Sequence, residues 1–358
     1  MNPAVKKLIL PVLMFLSVAS SRAQDKIIFT PQWTAQAQFA GYYVAQEKGF
    51  YREAGVDVEI VHPSATISAM NRIHRNESHA TTLQLCQAME VIDSGIELVN
   101  ILQTSMNNGM VIVSRRNADP LTQKGARVGI WTAGFGQIAI CMSQKEGLDY
   151  EWIRFGSNAN LFIKGAIDAT LAMSYNEYYQ IVQAGFELNE KNVYRFCDHG
   201  YNVQEDGVYV TREYYRKHKD QVRKFADASR RGWEWASEHP EETLDIVMKY
   251  VQDNHIATNR PMQRLMLKEV LRLQVDRESG EREFRLRPDM VKQASELLDR
   301  PVWTEPFFDF NPDDIYSTEA IASYCKSLKD RNGEYIGTFS TDISLGWLSE
   351  TISAIRMA

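Results

Sequence analysis

Hydrophobic and polar positions in residues 26–61 switch from the spacing of strands to that of helices and back. Residues 26–30 alternate as a short strand, residues 39–53 place apolar side chains at helical spacing, and residues 56–61 form a second strand. Gly55, between the helix and the second strand, is predicted to be a left-handed helix cap. The pattern indicates a strand–helix–strand unit of an α/β sheet.

The same change of period recurs along most of the chain. It predicts helices at 64–75, 81–94, 137–146, 212–238, 241–254, 261–273 and 288–299, and strands at 97–102, 110–114, 127–131, 150–155, 170–173 and 207–210. The strand at 110–114 is almost wholly apolar, as a buried parallel strand would be. A polar segment that contains a proline, residues 115–124, follows it and predicts a domain boundary.

These elements predict an α/β fold with two lobes and two crossovers between them. Lobe 1 is expected to comprise residues 24–114 and 206–300, and lobe 2 residues 115–205. Residues 301–358 are expected to form a helical extension that packs on lobe 1 and carries an amphipathic tail at 343–355. Two crossovers make a hinge, which allows a cleft to close over a ligand.

Residues 1–23 have the features of a cleaved secretory signal. Lys6 and Lys7 precede an apolar run at 8–16, and the segment ends in small residues up to Ala23. The apolar run is shorter than a membrane span of about 20 residues. We therefore expect the mature protein to be soluble and periplasmic.

Charge, cysteines and histidines argue against several classes of function. The formal net charge is −6, so nucleic acid is not expected as a partner, because phosphate contacts need positive charge. The chain has four widely spaced cysteines, Cys86, Cys141, Cys197 and Cys325. They could form one disulfide or could all be buried free thiols. No metal is expected, because the spacing of His62, His74 and His79 does not match that of a zinc site. We expect these three histidines to lie on the surface.

The loop after the first predicted strand carries amides and an aromatic ring. It contains Gln32, Trp33, Gln36 and Gln38, and Tyr42 follows one helical turn later. Such a loop lies at the carboxyl end of a strand, where open α/β sheets bind small ligands. The loop is therefore a candidate binding site. The alternative is that Trp33 belongs to the core and that the glutamines only cap the helix.

Two stretches of the chain carry a family resemblance. FTPQWTAQAQFAGYYVAQEKGFYREAGVDVEI, residues 29–60, and KGAIDATLAMSYNEYYQ, residues 164–180, resemble the periplasmic binding proteins for thiamine-pyrimidine precursors, which share their fold with fungal thiamine-pyrimidine synthases. The resemblance implies a two-lobe, type II periplasmic binding protein that captures a thiamine-related aminopyrimidine. It further implies an ABC permease in the membrane as partner, and we expect a monomer.

The resemblance also gives roles to individual residues. Glu177 matches the position that would pair with the pyrimidine amine, and Tyr175 and Asn176, which flank it, would complete the recognition. Trp33 would be the face on which the ring stacks. The alternative for Glu177 is a solvated residue at the start of a surface helix.

A glycine turn and two crossover residues are further candidates. Gly134, Phe135 and Gly136 lie between a predicted strand and a predicted helix, where backbone amides suit a phosphate, a carboxylate or water. Asn108 precedes the second lobe, and Asp206 lies at the return crossover. We include all five as cleft residues.

Binding without turnover is the expected function. The related synthases use pyridoxal phosphate held by a lysine and a cysteine-rich iron motif, whereas this chain has no lysine between Lys48 and Lys124 and no cysteine cluster. Motifs of hydrolases and phosphotransferases are also missing. We therefore expect neither catalysis nor a cofactor. Two alternatives stay open: a ligand sensor that signals to a membrane protein, and a pyrimidine synthase-like enzyme.

Overall fold

A computed structural model describes residues 26–63, 68–132, 134–156 and 158–298, and four strands beyond them. The expected signal at 1–23 and most of the expected tail at 343–355 lie outside the described residues. The described strands are β1 Ile27–Thr30, β2 Val58–Ile60, β3 Ala80–Leu83, β4 Leu98–Gln103, β5 Met110–Ser114, β6 Arg127–Trp131, β7 Glu151–Phe155, β8 Ala169–Met173, β9 Val193–Arg195, β10 Gly207–Thr211, β11 Val302–Trp303, β12 Phe307–Phe308, β13 Ala320–Lys329 and β14 Tyr335–Ser344.

Helices alternate with strands along most of the described chain. The described α-helices are α1 Ala40–Glu47, α2 Phe50–Glu53, α3 Ala69–His74, α4 Leu85–Asp93, α5 Gln137–Lys145, α6 Asn160–Ile163, α7 Glu177–Gln183, α8 Arg212–Lys217, α9 Lys219–Glu238, α10 Pro240–Asp253, α11 Arg260–Leu273 and α12 Pro288–Leu298. Short 3-10 helices lie at Ala37–Phe39, Pro120–Thr122 and Phe196–Asp198. Within the described residues, no helix combines the length and apolar character needed to cross a membrane.

The strands up to β10 form two mixed sheets, one in each lobe. The first sheet has the order β2–β1–β3–β10–β4, and the second has the order β7–β6–β8–β5–β9. In the first sheet β1 is parallel to β2 and β3, while β10 is antiparallel to β3 and β4. In the second sheet β6 is parallel to β7 and β8, while β5 is antiparallel to β8 and β9. The predicted two-lobe α/β fold is thereby confirmed.

Two crossover segments form the hinge between the sheets. Residues 104–109 lead from β4 to β5, and residues 199–206 lead back to β10. The segments are bonded to each other, because Thr104 Oγ1 donates to the carbonyl oxygen of Asp206 at 2.8 Å. The backbone N–H of Asn108 donates to Asn202 Oδ1, also at 2.8 Å. Asn108 therefore serves the hinge.

The first lobe boundary and one helix differ from their predictions. Because β5 pairs with β8 and β9, the first crossover precedes β5, earlier than the predicted boundary at 115. An apolar run predicts burial but does not specify which sheet a strand joins. The helix predicted at 81–94 begins only at Leu85, since Thr81 and Thr82 belong to β3, as their β-branched side chains favour.

Helix α1, which follows the candidate loop, is fixed against α9 by two glycines. A Cβ atom at Gly232 would lie 2.1 Å from the carbonyl oxygen of Gly41, and one at Gly41 would lie 2.2 Å from the Trp233 ring. Tyr42 packs its ring against Trp233 with the centroids 5.6 Å apart. The two helices therefore meet backbone to backbone, which fixes the position of the loop that precedes α1.

The described part of the C-terminal extension consists of strands, not of the expected helices. Strand β13 pairs antiparallel with β11, β12 and β14. The signal for a hairpin was the pair Asn332–Gly333 between two runs rich in apolar and β-branched residues. Both β13 and β14 lie beside α12, which also contacts α4 of lobe 1 and α5 of lobe 2.

Candidate ligand-binding cleft

A cavity lies between the two lobes at the carboxyl ends of their strands. The space between its walls, open solvent included, is about 310 Å³, of which about 30 Å³ can hold the centre of a water-sized sphere. Lobe 1 contributes Gln32, Trp33, Gln36, Gln38 and Gln84 to its wall, and lobe 2 contributes Trp131, Phe135, Met173, Tyr175, Asn176 and Glu177. Trp33 and Glu177, predicted to contact one ligand from opposite lobes, thus line the same cavity.

A chain of amides joins the lobe 1 wall to the hinge. Gln36 Nε2 donates to Gln38 Oε1 at 2.6 Å. Gln38 Nε2 donates to both carboxylate oxygens of Asp206, at 2.9 and 3.1 Å, and Gln32 Nε2 donates to Asp206 Oδ1. Asp206 therefore lies behind the cavity wall and accepts hydrogen bonds from two glutamines that line the cavity.

The hinge thus contains two adjacent buried carboxyl groups. Burial raises the pKa of Asp206 to about 7, although the hydrogen bonds from Gln38 and Gln32 act in the opposite direction. Burial, together with the Asp206 carboxylate, raises the pKa of Glu205 well above its usual range. Glu205 Oε2 accepts from the backbone N–H of Gly109 in the other crossover at 3.2 Å. The Glu205 carboxyl therefore bonds one crossover to the other, whereas the Asp206 carboxyl bonds the return crossover to the glutamines of the lobe 1 wall.

His62 holds the backbone of Trp33 in place. Its Nδ1 lies 2.7 Å from the carbonyl oxygen of Trp33, and its Nε2 lies 2.8 Å from the hydroxyl of Tyr43. Burial lowers the pKa of His62 to about 4, so the ring is neutral at physiological pH. A neutral ring fits both contacts when Nδ1–H donates to Trp33 and Nε2 accepts from Tyr43. His62 is therefore a half-buried residue bonded through both ring nitrogens, and the expected surface position was wrong.

Aromatic rings from both lobes meet in the cavity wall. Trp33 of lobe 1 packs edge to face on Phe135 of lobe 2, with the ring centroids 5.5 Å apart and the planes at 73°. Phe135 also contacts Trp131 edge to face at 6.3 Å. These rings offer flat apolar surface to a planar ligand.

Glu177 begins α7 and is only 2% exposed. Its Oε1 accepts from Trp131 Nε1 at 3.0 Å and from Asn176 Nδ2 at 3.3 Å, and its Oε2 accepts from the backbone N–H of Met173 at 3.0 Å. Burial raises its pKa, while the bonds from Met173 and Trp131 lower it. Its own backbone N–H also donates to the carboxylate, so the group is held by several donors at the start of α7.

Five predicted site residues lie outside the cavity lining. Tyr42 is in the core of lobe 1, Asn108 and Asp206 are in the hinge, and Gly134 and Gly136 are in the turn before α5. The turn contributes to closure, because Gly134 O accepts from Gln87 Nε2 of lobe 1 at 3.2 Å. The remaining eight predicted residues line the cavity.

Three lining residues were not predicted: Gln84, Trp131 and Met173. Trp131 is the last residue of β6, Met173 is the last residue of β8, and Gln84 directly follows β3. Each therefore lies at or directly after the end of a strand, at the edge where ligands bind in α/β sheets. That position was the signal that would have found them.

Polar contacts across the cleft show that the lobes are closed. Gln137 Nε2 of lobe 2 donates to Glu90 Oε2 of lobe 1 at 2.8 Å. On another side, Ser174 Oγ donates to Glu269 Oε1 of α11 at 2.7 Å. The cavity is therefore held between lobes that are bonded to each other at its rim.

Comparison with known proteins agrees with this architecture. Residues 36–243, more than half of the chain, match the family model described as NMT1/THI5 like. The chain belongs to the NMT1/THI5-like family. A relative in this comparison is the formylaminopyrimidine-binding protein of Halalkalibacterium halodurans, 24% identical over 259 residues that cover 67% of this chain and 77% of the relative.

Solved structures share the fold of this family member. The ligand-binding component of an ABC-type import system from Staphylococcus aureus superposes with a TM-score of 0.57 at 10% identity, over 77% of this chain and 91% of the other. The periplasmic aliphatic sulphonate binding protein of Escherichia coli gives a TM-score of 0.57 at 11% identity, over 77% and 86%. These neighbours are binding proteins, and at this identity the similarity shows the fold alone.

Proposed function

We propose that this chain is a periplasmic solute receptor that binds a thiamine-related aminopyrimidine and delivers it, as a monomer, to an ABC permease. The observation that carries the proposal is the shared cavity of Trp33 and Glu177, one a flat ring and the other a buried carboxylate. An aminopyrimidine has a flat face to stack and an amine to donate. The named ligand of the Halalkalibacterium halodurans relative supports the same class.

Calorimetry and thermal unfolding test the proposal. Hydroxymethyl-aminopyrimidine and formylaminopyrimidine should bind and raise the melting temperature with increasing concentration, whereas an alkanesulphonate should not. Trp33→Leu should weaken binding by roughly 1–3 kcal/mol, since stacking area is lost. The matched control is Trp235→Leu, whose ring stacks on His239 in lobe 1 and does not line the cavity. A melting temperature that responds to the sulphonate and to neither pyrimidine would refute the ligand assignment.

Glu177→Gln tests the carboxylate separately. The amide has a single oxygen, so it cannot accept from Trp131, Met173 and a ligand amine together. We expect the affinity for aminopyrimidines to fall by roughly ten-fold or more, because a hydrogen bond to a charged group is lost. Exposed Glu151 supplies the control variant Glu151→Gln. Unfolding measured without ligand separates lost affinity from lost stability, and unchanged affinity in Glu177→Gln would contradict the assigned role.

A further inference from the structure

Two glutamines in the lobe 1 wall each carry one buried amide atom that has no hydrogen-bond partner among the described residues. Gln32 Oε1 and Gln84 Nε2 are these atoms, and the residues are 7% and 4% exposed. Both residues line the cavity. A buried polar atom without a partner is unfavourable, so the pair indicates groups that a ligand satisfies.

The two residues are neighbours in the fold. Strands β1 and β3 are parallel with Thr30 opposite Thr81, and Gln32 and Gln84 follow these strands at the same edge of the sheet. The backbone N–H of Gln32 donates to Thr82 Oγ1 at 2.8 Å, which holds the two strand ends together. One ligand edge can therefore face both amides.

The orientation of each amide is fixed from behind. Gln32 Nε2 donates to Asp206, which leaves Oε1 as the end without a partner. The side chain of Gln84 accepts the backbone N–H of Gln87 in a capping box at the start of α4, which leaves Nε2 as the other such end. An ionised carboxylate only accepts, so at a pH above its pKa of about 7 Asp206 prevents the reversed orientation of the Gln32 amide.

We propose that Gln32 and Gln84 read one edge of the ligand, which presents a hydrogen-bond donor to Gln32 and a neighbouring acceptor to Gln84, and that Asp206 is the positioning residue that sets this pattern. The inference rests on the proposed function, since an aminopyrimidine carries such an edge: the exocyclic amine donates and the adjacent ring nitrogen accepts. In the corresponding pyrimidinone the pattern is reversed, because the oxo group accepts and the ring N–H donates. The site therefore selects the amino form over the oxo form of a ring of the same shape.

Calorimetry with two matched probes tests the inference on the full mature chain. The probes are hydroxymethyl-aminopyrimidine and the pyrimidinone in which an oxo group replaces its amine. The wild-type protein should bind the amino probe roughly ten- to hundred-fold more tightly, because the oxo probe leaves buried groups unpaired. Gln84→Glu keeps the acceptor that caps α4 and loses the donor, so the preference should fall by about ten-fold or reverse. Gln84→Met, which removes the donor without adding charge, should weaken only the amino probe.

Asp206→Asn tests the positioning role through specificity. Released from the carboxylate, the Gln32 amide can turn, so the ratio of the two affinities should move toward one while both probes still bind. Unfolding of each variant without ligand shows any general loss of stability, which does not change this ratio. The wild-type protein could bind the amino probe while Gln84→Glu and Asp206→Asn leave the ratio of the two affinities unchanged. This result would overturn the inference but not the proposed function. Binding of neither probe by the wild-type protein would overturn both.

Discussion

Asp206→Asn should flatten the pH dependence of stability between about pH 4 and pH 7. The pKa of Asp206 rises from 3.8 to about 7 on folding because the carboxyl is buried. The folded chain therefore holds this proton more tightly than the unfolded chain, so the stabilisation is complete below 3.8 and is lost as the pH rises through 7. A difference of roughly three units at about 1.36 kcal/mol each gives at most about 4 kcal/mol.

Urea unfolding of the wild-type protein and the variant, at constant ionic strength across this pH range, measures the effect. The charge of Asp206 also raises the pKa values of neighbouring groups, including Glu205, Tyr42 and Tyr175. The difference between the two proteins isolates the contribution of Asp206 and its coupling to Glu205. We expect the variant to lose about 1 kcal/mol at every pH, because one hydrogen bond is weakened. Relative to the wild-type protein, the free energy of unfolding of the variant should then increase as the pH rises.

An exposed carboxylate provides the comparison. Asp57→Asn is the control for the loss of one carboxylate, since Asp57 lies on the surface. If the free energy of unfolding of Asp206→Asn runs parallel to that of the wild-type protein from pH 4 to pH 7, burial does not raise the pKa of this carboxyl. The account of Asp206 as the group that fixes two cavity glutamines would then lose its electrostatic basis.

Two further predictions concern the residues that fix the lobe 1 wall. Folding lowers the pKa of His62 from 6.5 to about 4. The resulting contribution to stability, at most about 3 kcal/mol, is present above pH 6.5 and is lost as the pH falls toward 4. In the same urea series, His62→Gln should remove this dependence of the free energy of unfolding on pH. Gly232→Ala should destabilise the fold by roughly 3 kcal/mol or more, because its Cβ atom would meet Gly41 O at 2.1 Å, whereas Gly156→Ala, which meets nothing within 4 Å, should leave the melting temperature nearly unchanged.

The sequence predicted the fold well because local period and topology agree over most of the chain. Gly55 has a φ of +72°, as its predicted role in a left-handed cap requires. The predicted helix at 39–53 breaks at Gly49, where φ is +79°. The assignment of β5 to a lobe was wrong because strand pairing is a long-range property that an apolar run of five residues does not encode.

Part of the candidate site could be predicted from the sequence for the same reason. Gln32 to Gln38 follow a strand whose end was predicted correctly, so they were found as cavity residues. Gln84 was missed because the wrong helix at 81–94 concealed the end of β3. Asp206 and Tyr42 were found from chain position, yet packing places one behind the glutamines and the other in the core, which only the tertiary structure can show.

Helix α12 gives the molecule a third tie between its halves besides the crossovers. It touches α4 on one half and α5 on the other, and Gln293 Nε2 donates to the carbonyl oxygen of Gly200 near the return crossover at 2.7 Å. Any opening of the cleft must break one of these seams and let the helix travel with the opposite half. The strands β13 and β14 that lie beside α12 are then carried along, so the outline of the molecule differs between an open and a closed cleft.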